Sequence, residues 1–388
     1  MSNPVKELLI RRVDEVIEKD HLTRVLNSTK RLRIKFGIDP TSSKMHLGHT
    51  VPLLKLKEFQ NLGHWVILVI GDTTATIGDP SGRQVSRKVL TQEEVKENMK
   101  AYERQISKIL DPKKTEFVYN STWFKKMGIS DLMKMASSAT LQQVRKRREF
   151  QERIEKGEDI SLTEILYPVM QGYDSVQVKA DVEIGGTDQK FNLLMGRQIQ
   201  KRFGQEEQDV ITLPLLIGTD GKKKMSKTAG NYIALDDKPN EMFAKIMSIP
   251  DELILNYFEL CTEGPSNEIK TIKRQVVSDP MGTKKRLALE ITQMYHGREK
   301  SKRAQEEFVK VFSKEGIPND APTWKLSGKT VNLPNLLVER KIEDSKSEVR
   351  RLIKQGGISL NGEKVMDIKI KFEKGVLRIG KKTFIKIK

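Results

Sequence analysis

The chain has almost no cysteine. Cys261 is alone among 388 residues, so an intrachain disulfide is impossible and a cysteine-based metal site is not expected. Long apolar runs are also missing: the longest, Trp65–Ile70, has six residues, whereas a membrane-spanning helix needs about 20. The charged N-terminal segment resembles neither a secretory signal nor an Arg-rich transit peptide. We therefore expect a cytoplasmic protein with no membrane segment.

Positive charge is what the sequence has in excess. Lys and Arg total 70 against 52 acidic residues, a formal net charge of +18, and residues 331–388 alone hold 15 basic and 7 acidic residues. Such a surface attracts polyanions, and nucleic acid is the leading candidate. A basic surface that only promotes solubility is the alternative, and charge alone leaves the two about equal.

The order of patterns near the N-terminus predicts a βαβ unit. Apolar residues at helical spacing predict an amphipathic helix over the first 30 or so residues, and alternation over 33–39 predicts a strand. A helix is predicted from about Leu47 to Asn61, ending before Gly63. The apolar run Trp65–Ile70 is typical of a strand buried on both faces of a parallel sheet. Together these elements predict a doubly wound α/β domain.

Later segments extend this domain and then change character. Strands are predicted within 117–119, 176–184 and 210–217, with a charged helical insertion over about 115–165. From 239 to about 305 the pattern is entirely helical, and the Pro-rich stretch 316–322 is the best linker candidate.

The last segment combines a helix with a small sheet. Ser345 and Glu348 have the spacing of a capping box, and residues 358–362 predict a strand entering a tight turn. Arg350, Arg351 and Lys354 lie together along the helix, which suits a phosphate backbone. A solvated helix face is the alternative, but the local charge of +8 favours RNA.

The tetrapeptide His46-Leu47-Gly48-His49 begins the helix that follows the first predicted strand. A helix N-terminus offers free N–H groups and favours anions, and two imidazoles three residues apart share a face there. Gly48 allows a flat base to approach the backbone, while Asp39 and Thr41 lie at the carboxyl end of the strand, where α/β folds bind ligands. A metal site is the alternative, although five histidines and no supporting ligands argue against it.

Residues 221–228 form a Gly-flanked loop with four lysines. A solvated turn is the simplest interpretation, but lysine also binds phosphate and such a loop can close on a nucleotide. The segment does not match the P-loop pattern, and no G-x-G-x-x-G follows the first strand.

A third polar group is spread along the chain. Tyr167, Gln171 and Asp174 are spaced to line one helix face that could meet a small polar ligand, although spacing alone slightly favours a water-exposed face. Residues 78–83 and 185–189 are dense in glycine and polar side chains. His21, His64, His296 and Cys261 suggest no function.

Taken together, the motifs resemble those of class I aminoacyl-tRNA synthetases. HLGH at 46–49 and KMSKT at 224–228 look like the paired signatures of that class. GIDPT, IGDPSGR, LYPVMQGYD and GGTDQ, in that order, are similar to tyrosyl-tRNA synthetases. SEVRRLIKQGGISLNG resembles the small RNA-binding fold, named after a ribosomal protein, that ends many bacterial tyrosyl enzymes. The resemblance covers essentially the whole chain.

The resemblance implies a role for each matching position. The adenosine side of the adenylate would be held by Asp39, Gly48, Gly186 and Asp188. The ATP phosphates would meet Thr41, His46, His49, Lys224, Lys227 and Thr228. The ammonium and carboxylate of tyrosine would be held by Asp79, Tyr167, Gln171 and Gln189, with Asp174 accepting a hydrogen bond from the phenol.

The sequence departs from the family pattern at a few positions. Many bacterial relatives have a tyrosine that also contacts the phenol, whereas the aligned residue here is Lys35; a second branch of the family is Lys-like at this position. Glu183 replaces a common Gln, Lys190-Phe191 replaces a frequent Trp-Gly, and Thr228 ends the lysine loop in place of Ser. The role of Lys35 stays open.

The resemblance also implies an architecture and partners. We expect a Rossmann-like catalytic domain over 1–232, a helical anticodon-binding domain over 233–325 and a C-terminal RNA-binding domain over 330–388. The substrates would be L-tyrosine, ATP with Mg²⁺, and tRNA(Tyr); no resident metal site is expected, and a homodimer is, with 115–165 as its candidate interface. The rival interpretations are a tryptophanyl-type synthetase and an RNA-binding protein on an inactive synthetase scaffold.

Overall fold

A six-stranded sheet organises the first part of the chain in the computed structural model, which describes residues 3–79, 91–265, 267–313, 321–380 and 383–388. Its strands lie in the order β1-β6-β5-β2-β3-β4, and all neighbours are parallel except β1 and β6. They are β1 (Glu15–Ile17), β2 (Arg33–Ile38), β3 (Trp65–Ile70), β4 (Thr115–Tyr119), β5 (Val182–Gly186) and β6 (Asp209–Leu213). The chain thus runs outward from β2 in one direction and from β5 in the other, which makes the β2/β5 boundary a topological switch point.

Helices cover this sheet and extend beyond it. In chain order they are α1 (Pro4–Leu8), α2 (Lys19–Leu26), α3 (Leu47–Asn61), α4 (Gln92–Ile106), α5 (Ser121–Phe124), α6 (Ile129–Ala136), α7 (Leu141–Arg145), α8 (Arg148–Glu155), α9 (Leu162–Val178) and α10 (Lys190–Arg202). Val66 to Ile70 are at most 1% exposed, so both faces of β3 are covered and the prediction of a doubly buried strand is confirmed. The helix after β2 ends as predicted, because Gly63 adopts φ +87° just beyond it.

The prediction of one long N-terminal helix is wrong. The segment forms α1, the edge strand β1 and α2, with left-handed backbone at Arg12 and Glu18. Arg12 turns inward and donates to the carbonyls of Leu260 and Thr262, while β1 pairs with β6. These tertiary contacts outweigh the helical periodicity of the segment.

The strand predicted over 176–184 begins too early. α9 continues to Val178 and ends at Lys179, whose φ is +47°, and β5 starts only at Val182. Near the end of α9, Val176 is buried among residues of α9 and α10, and Val178 is buried against β3, so apolar residues did not distinguish helix from strand there. The range 115–165 begins with strand β4, and the helices α5 to α8 follow between β4 and α9. That this range is an insertion in the catalytic domain stays a prediction.

The helical pattern beyond residue 239 is confirmed. It forms α11 (Pro239–Met247), α12 (Ile254–Cys261), α13 (Glu268–Ser278), α14 (Pro280–His296) and α15 (Arg298–Ser313). The chain divides into two compact units, Met1–Gly297 and Arg298–Lys388. The three-domain division stays a prediction, and residues 316–320 of the expected linker 316–322 lie outside the described residues.

The C-terminal unit is an α+β structure. Its further helices are α16 (Leu333–Glu339) and α17 (Lys346–Lys354), and its strands are β7 (Thr323–Trp324), β8 (Thr330–Asn332), β9 (Ile358–Leu360), β10 (Glu363–Lys364), β11 (Lys369–Lys371), β12 (Gly375–Ile379) and β13 (Thr383–Ile387). The order β10-β9-β12-β13-β7 forms one sheet, and β8 pairs with β11. Asn361 and Gly362 both have positive φ and make the predicted tight turn.

One detail of the predicted capping box differs. Ser345 caps α17 by accepting from the Glu348 backbone N–H at 3.2 Å, but the Glu348 carboxylate pairs with Arg351 and does not reach back to Ser345. The local salt bridge therefore replaces the second half of the box.

Candidate active site

Asp39 lies just beyond the carboxyl end of β2 and is held by two hydroxyl groups. Tyr167 on α9 donates to Asp39 Oδ2 at 2.8 Å, and Thr74 donates to Asp39 Oδ1 at 2.8 Å. A Cβ at Gly71 would overlap both Asp39 Oδ1 and Thr74 Oγ1, so glycine is required there. Burial, with the nearby carboxylates of Asp39 and Asp79, raises the pKa of Tyr167 well above its ordinary value, which keeps the phenol a hydrogen-bond donor.

The α9 face predicted from spacing is not exposed to water. Tyr167 and Asp174 are 5% and 4% exposed, and Asp174 Oδ1 accepts a hydrogen bond from Trp123 Nε1 at 3.0 Å. Burial raises the pKa of Asp174 to about 7, although Lys35 and the Trp123 hydrogen bond act in the opposite direction. The helix thus presents a buried carboxylate beside a buried phenol.

A chain of amides joins the remaining polar residues of this group. Gln189 Nε2 donates to Asp79 Oδ2 at 2.6 Å. Asn192 on α10 donates to both Gln171 Oε1 and Gln189 Oε1 at 2.9 Å. Asn192 is not among the residues predicted from the sequence, although its place one helical turn after Gln189 was a usable signal.

The two histidines occupy the start of α3. Their rings lie 3.8 Å apart, and His49 Nδ1 accepts the backbone N–H of His46 at 3.1 Å. Burial first, then the charges of Lys227 and Lys224, lowers the pKa of His46 to about 3; burial and His46 lower that of His49. Both imidazoles are therefore neutral near pH 7. Among the described residues, buried His46 Nδ1 has no hydrogen-bond partner.

Backbone pairing brings the lysine loop to the histidines. Leu47 N donates to Ile233 O at 3.0 Å, and Leu235 N donates to Met45 O at 3.0 Å. Within the loop, Met225 N donates to Leu216 O at 2.8 Å, which folds it back on the segment after β6. These pairings join two sequence motifs that are far apart along the chain.

The loop lysines contact the carboxyl ends of β2 and β5. Lys224 Nζ lies 2.5 Å from Asp188 Oδ2, and Lys227 donates to Ser42 Oγ and the Lys44 carbonyl. Thr228 is exposed, and its hydroxyl has no recorded partner in the described part of the chain. A second missed residue, Asn231, donates to the Lys223 and Lys224 carbonyls at 3.3 Å and accepts from Ser226 N at 2.8 Å, so it fixes the loop backbone.

Gly186 ends β5, and Asp188 lies in the turn just beyond it, beside these lysines. A Cβ on Gly186 would lie 2.6 Å from Asp188 Oδ1 and 2.8 Å from Leu215 Cδ2, so only glycine fits without displacing Asp188. Within the described ranges no group of three or more His, Cys, Asp or Glu could hold a metal ion. The described helices include none that is both long and apolar enough to cross a membrane.

Two protein families match the chain over nearly its whole length. A family described as tRNA synthetases class I (W and Y) matches residues 27–313, and one described as the tyrosine–tRNA ligase SYY-like C-terminal domain matches 313–387. The tyrosine–tRNA ligase of Thermotoga maritima is 48% identical, covering 98% of this chain and 96% of its own length. That of Carboxydothermus hydrogenoformans is also 48% identical, covering 98% and 97%. The chain belongs to the tyrosine–tRNA ligase family.

Solved structures share the fold of this family member. A C-terminally truncated mitochondrial tyrosyl-tRNA synthetase from Aspergillus nidulans aligns with a TM-score of 0.69 at 23% identity, covering 80% of this chain and 95% of its own. The tyrosyl-tRNA synthetase from Archaeoglobus fulgidus, complexed with L-tyrosine, aligns at 0.63 and 22%, covering 78% and 100%. The predicted α/β fold with a C-terminal α+β part is confirmed.

The structure gathers most of the predicted site residues of this ligase. Those at the carboxyl ends of β2 and β5, on α3 and α9 and in the lysine loop lie around the switch point between β2 and β5. Arg350, Arg351 and Lys354 belong instead to the C-terminal unit, where all three are exposed on α17. Lys35 and Glu183, two of the departures from the family pattern, form a fully buried ion pair at 2.9 Å.

Proposed function

We propose that the switch-point site performs the first half of the tyrosine–tRNA ligase reaction, in which ATP activates L-tyrosine to tyrosyl-adenylate and releases pyrophosphate. The observation that carries the proposal is the backbone pairing of residues 45–47 with 233–235. It sets the two imidazoles beside Lys224 and Lys227, at the end of the sheet where parallel α/β folds bind ligands. Tyrosine is then transferred to the terminal adenosine of tRNA(Tyr).

The charges of the site suit attack by a carboxylate on a phosphate. The carboxylate of tyrosine is already ionised near pH 7, so the step needs no general base. Negative charge grows on the departing pyrophosphate, where Lys224 and Lys227 supply cations and His46 and His49 supply neutral N–H donors. Thr41 and Thr228 contribute hydroxyl groups. Catalysis then rests on positioning and electrostatic stabilisation.

The tyrosine side of the pocket follows from the buried polar residues. We assign the substrate ammonium and carboxylate to Asp79, Tyr167, Gln171 and Gln189, and the phenol to Asp174. Phenylalanine has no hydroxyl to donate to a buried acceptor such as Asp174. A site of that kind lowers kcat/KM for the analogue by a factor of about 10⁴–10⁵ in favourable cases. This requires an ionised carboxylate, which the raised pKa of about 7 makes pH-dependent.

The adenosine side is assigned to Asp39, Gly48, Gly186 and Asp188. Asp188 pairs with Lys224, whose side chain is 53% exposed. A ribose bound at Asp188 displaces Lys224 and so frees its ammonium for the phosphates. Binding of the nucleoside is thereby coupled to the supply of a positive charge at the phosphate site. Magnesium enters with ATP, since the described residues offer no cage for it.

We assign tRNA(Tyr) binding to the C-terminal unit. Arg350, Arg351 and Lys354 are exposed on α17, and residues 331–388 carry a net charge of +8. The proposed domains are a catalytic domain over 1–232, an anticodon-binding domain over 233–325 and a C-terminal RNA-binding domain over 330–388. Neutralising phosphates in this way makes binding weaken steeply with salt.

We further propose a cytoplasmic homodimer that uses the insertion over 115–165. Apolar side chains there face solvent: Ile129 is 81% exposed, Leu162 79%, Met133 64% and Leu141 53%. Exposed apolar residues grouped in one segment are typical of an interaction surface. Sedimentation of wild type and an Ile129→Asp, Met133→Asp variant tests this, with a monomeric variant as the expected result.

The deciding experiment is ATP–pyrophosphate exchange by the purified protein with tyrosine, phenylalanine and tryptophan, with His49→Ala as control. Exchange with tyrosine alone, lost in the control, supports the proposal. Exchange with tryptophan identifies the sister enzyme. No exchange with any of the three overturns the enzymatic proposal and leaves a basic RNA-binding protein.

A further inference from the structure

The buried ion pair beneath the tyrosine pocket is the least expected feature of the fold. Lys35 on β2 and Glu183 on β5 are register partners across the switch point, their side chains are 0% exposed, and Lys35 Nζ lies 2.9 Å from Glu183 Oε1. Two charges at this depth lose their hydration, and a buried pair is commonly no more stable than apolar residues of similar volume. Stability alone therefore does not explain why the pair is present.

Every donor of the Lys35 ammonium has a partner. Besides Glu183, Lys35 Nζ donates to the Gln171 carbonyl at 2.8 Å and to Ser175 Oγ at 2.7 Å. Both of these acceptors are on α9, on either side of Asp174 in sequence. An ammonium has three donors, so this one is fully used and its position is fixed.

Glu183 is held just as completely. Its carboxylate accepts from Ser175 Oγ at 3.1 Å, from Gln171 Nε2 at 3.3 Å and from Gln208 Nε2. Gly196 on α10 leaves room for it, because a Cβ there would lie 3.0 Å from Glu183 Oε2. The pair thus binds α9 to two strands and touches both the backbone and the side chain of Gln171.

We propose that the Lys35–Glu183 pair is a positioning device that holds Gln171 and Asp174 of α9 in place for the substrate and so determines the preference for tyrosine over phenylalanine. The inference rests on the proposed function, in which those two residues bind tyrosine. Its physical basis is that a hydrogen bond to a small phenol depends on the placement of the acceptor, and α9 is fixed at that point by the pair. The positive charge of Lys35 also favours the ionised form of Asp174 against burial.

The energetics of buried ion pairs determine which variants are informative. Removing one partner leaves an uncompensated buried charge, whereas removing both is far better tolerated. The informative variant is therefore the double substitution Lys35→Met, Glu183→Gln, which keeps side-chain volumes and the acceptor for Gln208. Lys284→Met is a matched control, because Lys284 is also buried, donates to the Ile249 carbonyl at 2.6 Å and pairs with Asp251, but belongs to α14.

The measurement is kcat/KM in pyrophosphate exchange with tyrosine and with phenylalanine, together with KM for ATP. For the double variant we expect the tyrosine-to-phenylalanine ratio to fall about tenfold or more, mainly through KM for tyrosine, while KM for ATP changes less than about twofold. The Lys284→Met control is expected to keep the wild-type ratio. If the pair only stabilised the fold, kcat/KM for tyrosine, kcat/KM for phenylalanine and KM for ATP would all change by similar factors.

The outcomes separate the two proposals. If wild type shows no exchange with tyrosine, the proposed function fails and this inference with it. If wild type is active but the folded double variant keeps the ratio within about twofold, only the inference is overturned. If the double variant does not fold, Ser175→Ala decides, because it removes the hydroxyl that bridges both members of the pair and leaves their charges. A wild-type ratio in that variant overturns the inference.

Discussion

Replacing Asp174 by asparagine is expected to stabilise the fold while impairing tyrosine activation. The substitution keeps the shape of a side chain that is 4% exposed and removes its charge. Burial raises the pKa of Asp174 from 3.8 to about 7 in the folded protein. Between these values the folded state holds a proton at this position that the unfolded state has lost. The wild type therefore loses stability as pH rises through this window, and the variant does not.

The size of the effect follows from the same shift. A difference of about 3 pH units, at about 1.36 kcal/mol each, gives a variant advantage that grows to at most about 4 kcal/mol at pH 7 and then levels off. Activity changes in the opposite direction. Hydrogen bonds to charged groups contribute about 1.5–3 kcal/mol against about 0.5–1.5 kcal/mol for neutral ones, so kcat/KM for tyrosine is expected to fall roughly 5- to 30-fold.

Urea unfolding at pH 5, 6, 7 and 8 measures the first effect, and pyrophosphate exchange at pH 8 measures the second. Asp367→Asn, at an exposed position, controls for the substitution itself. The reasoning is refuted if the difference in unfolding free energy between wild type and Asp174→Asn does not change with pH. It is equally refuted if the variant is markedly less stable than wild type at pH 8.

Three further predictions test other parts of the structure. Lys227→Ala removes a cation that meets the leaving pyrophosphate, so single-turnover formation of adenylate is expected to slow by about 10²–10³, with tyrosine binding unchanged by equilibrium dialysis. Gly71→Ala places a Cβ against Asp39 and Thr74 and is expected to reduce kcat/KM at least about tenfold without unfolding the protein, as judged by circular dichroism. Arg12→Met leaves the Leu260 carbonyl without its buried donor, while Arg11 still donates to the Thr262 carbonyl and Lys55 still pairs with Glu58. The unsatisfied carbonyl is expected to destabilise the fold by about 1–3 kcal/mol in urea unfolding, whereas a change below about 0.5 kcal/mol, as is usual for a surface substitution, would contradict the assigned role.

Local chemistry made several elements predictable. β3 is a continuous apolar run, α3 ends before a glycine with positive φ, and the turn at Asn361-Gly362 needs residues that tolerate positive φ. Each of these depends on a few consecutive residues, so the sequence carries the information directly. The spacing of Tyr167, Gln171 and Asp174 likewise placed them on one helix.

Contacts between distant segments were beyond such reasoning. The N-terminal residues form β1 in place of a helix because β6 offers an edge and Arg12 finds buried carbonyls some 250 residues away. The α9 face is largely buried because Trp123 and the residues of the amide chain cover it.

Local sequence fixes which chemical groups this protein has and their short-range geometry: a histidine pair at a helix start, lysines in a Gly-flanked loop, and polar residues three and four apart on a helix. Folding brings these groups together and sets their charge states and the partner of Lys35. Its ammonium is paired with Glu183, a residue 148 positions away that is its register partner in the neighbouring strand. Charge state and partner are set by burial and by the three-dimensional neighbours, and neither is a property of consecutive residues.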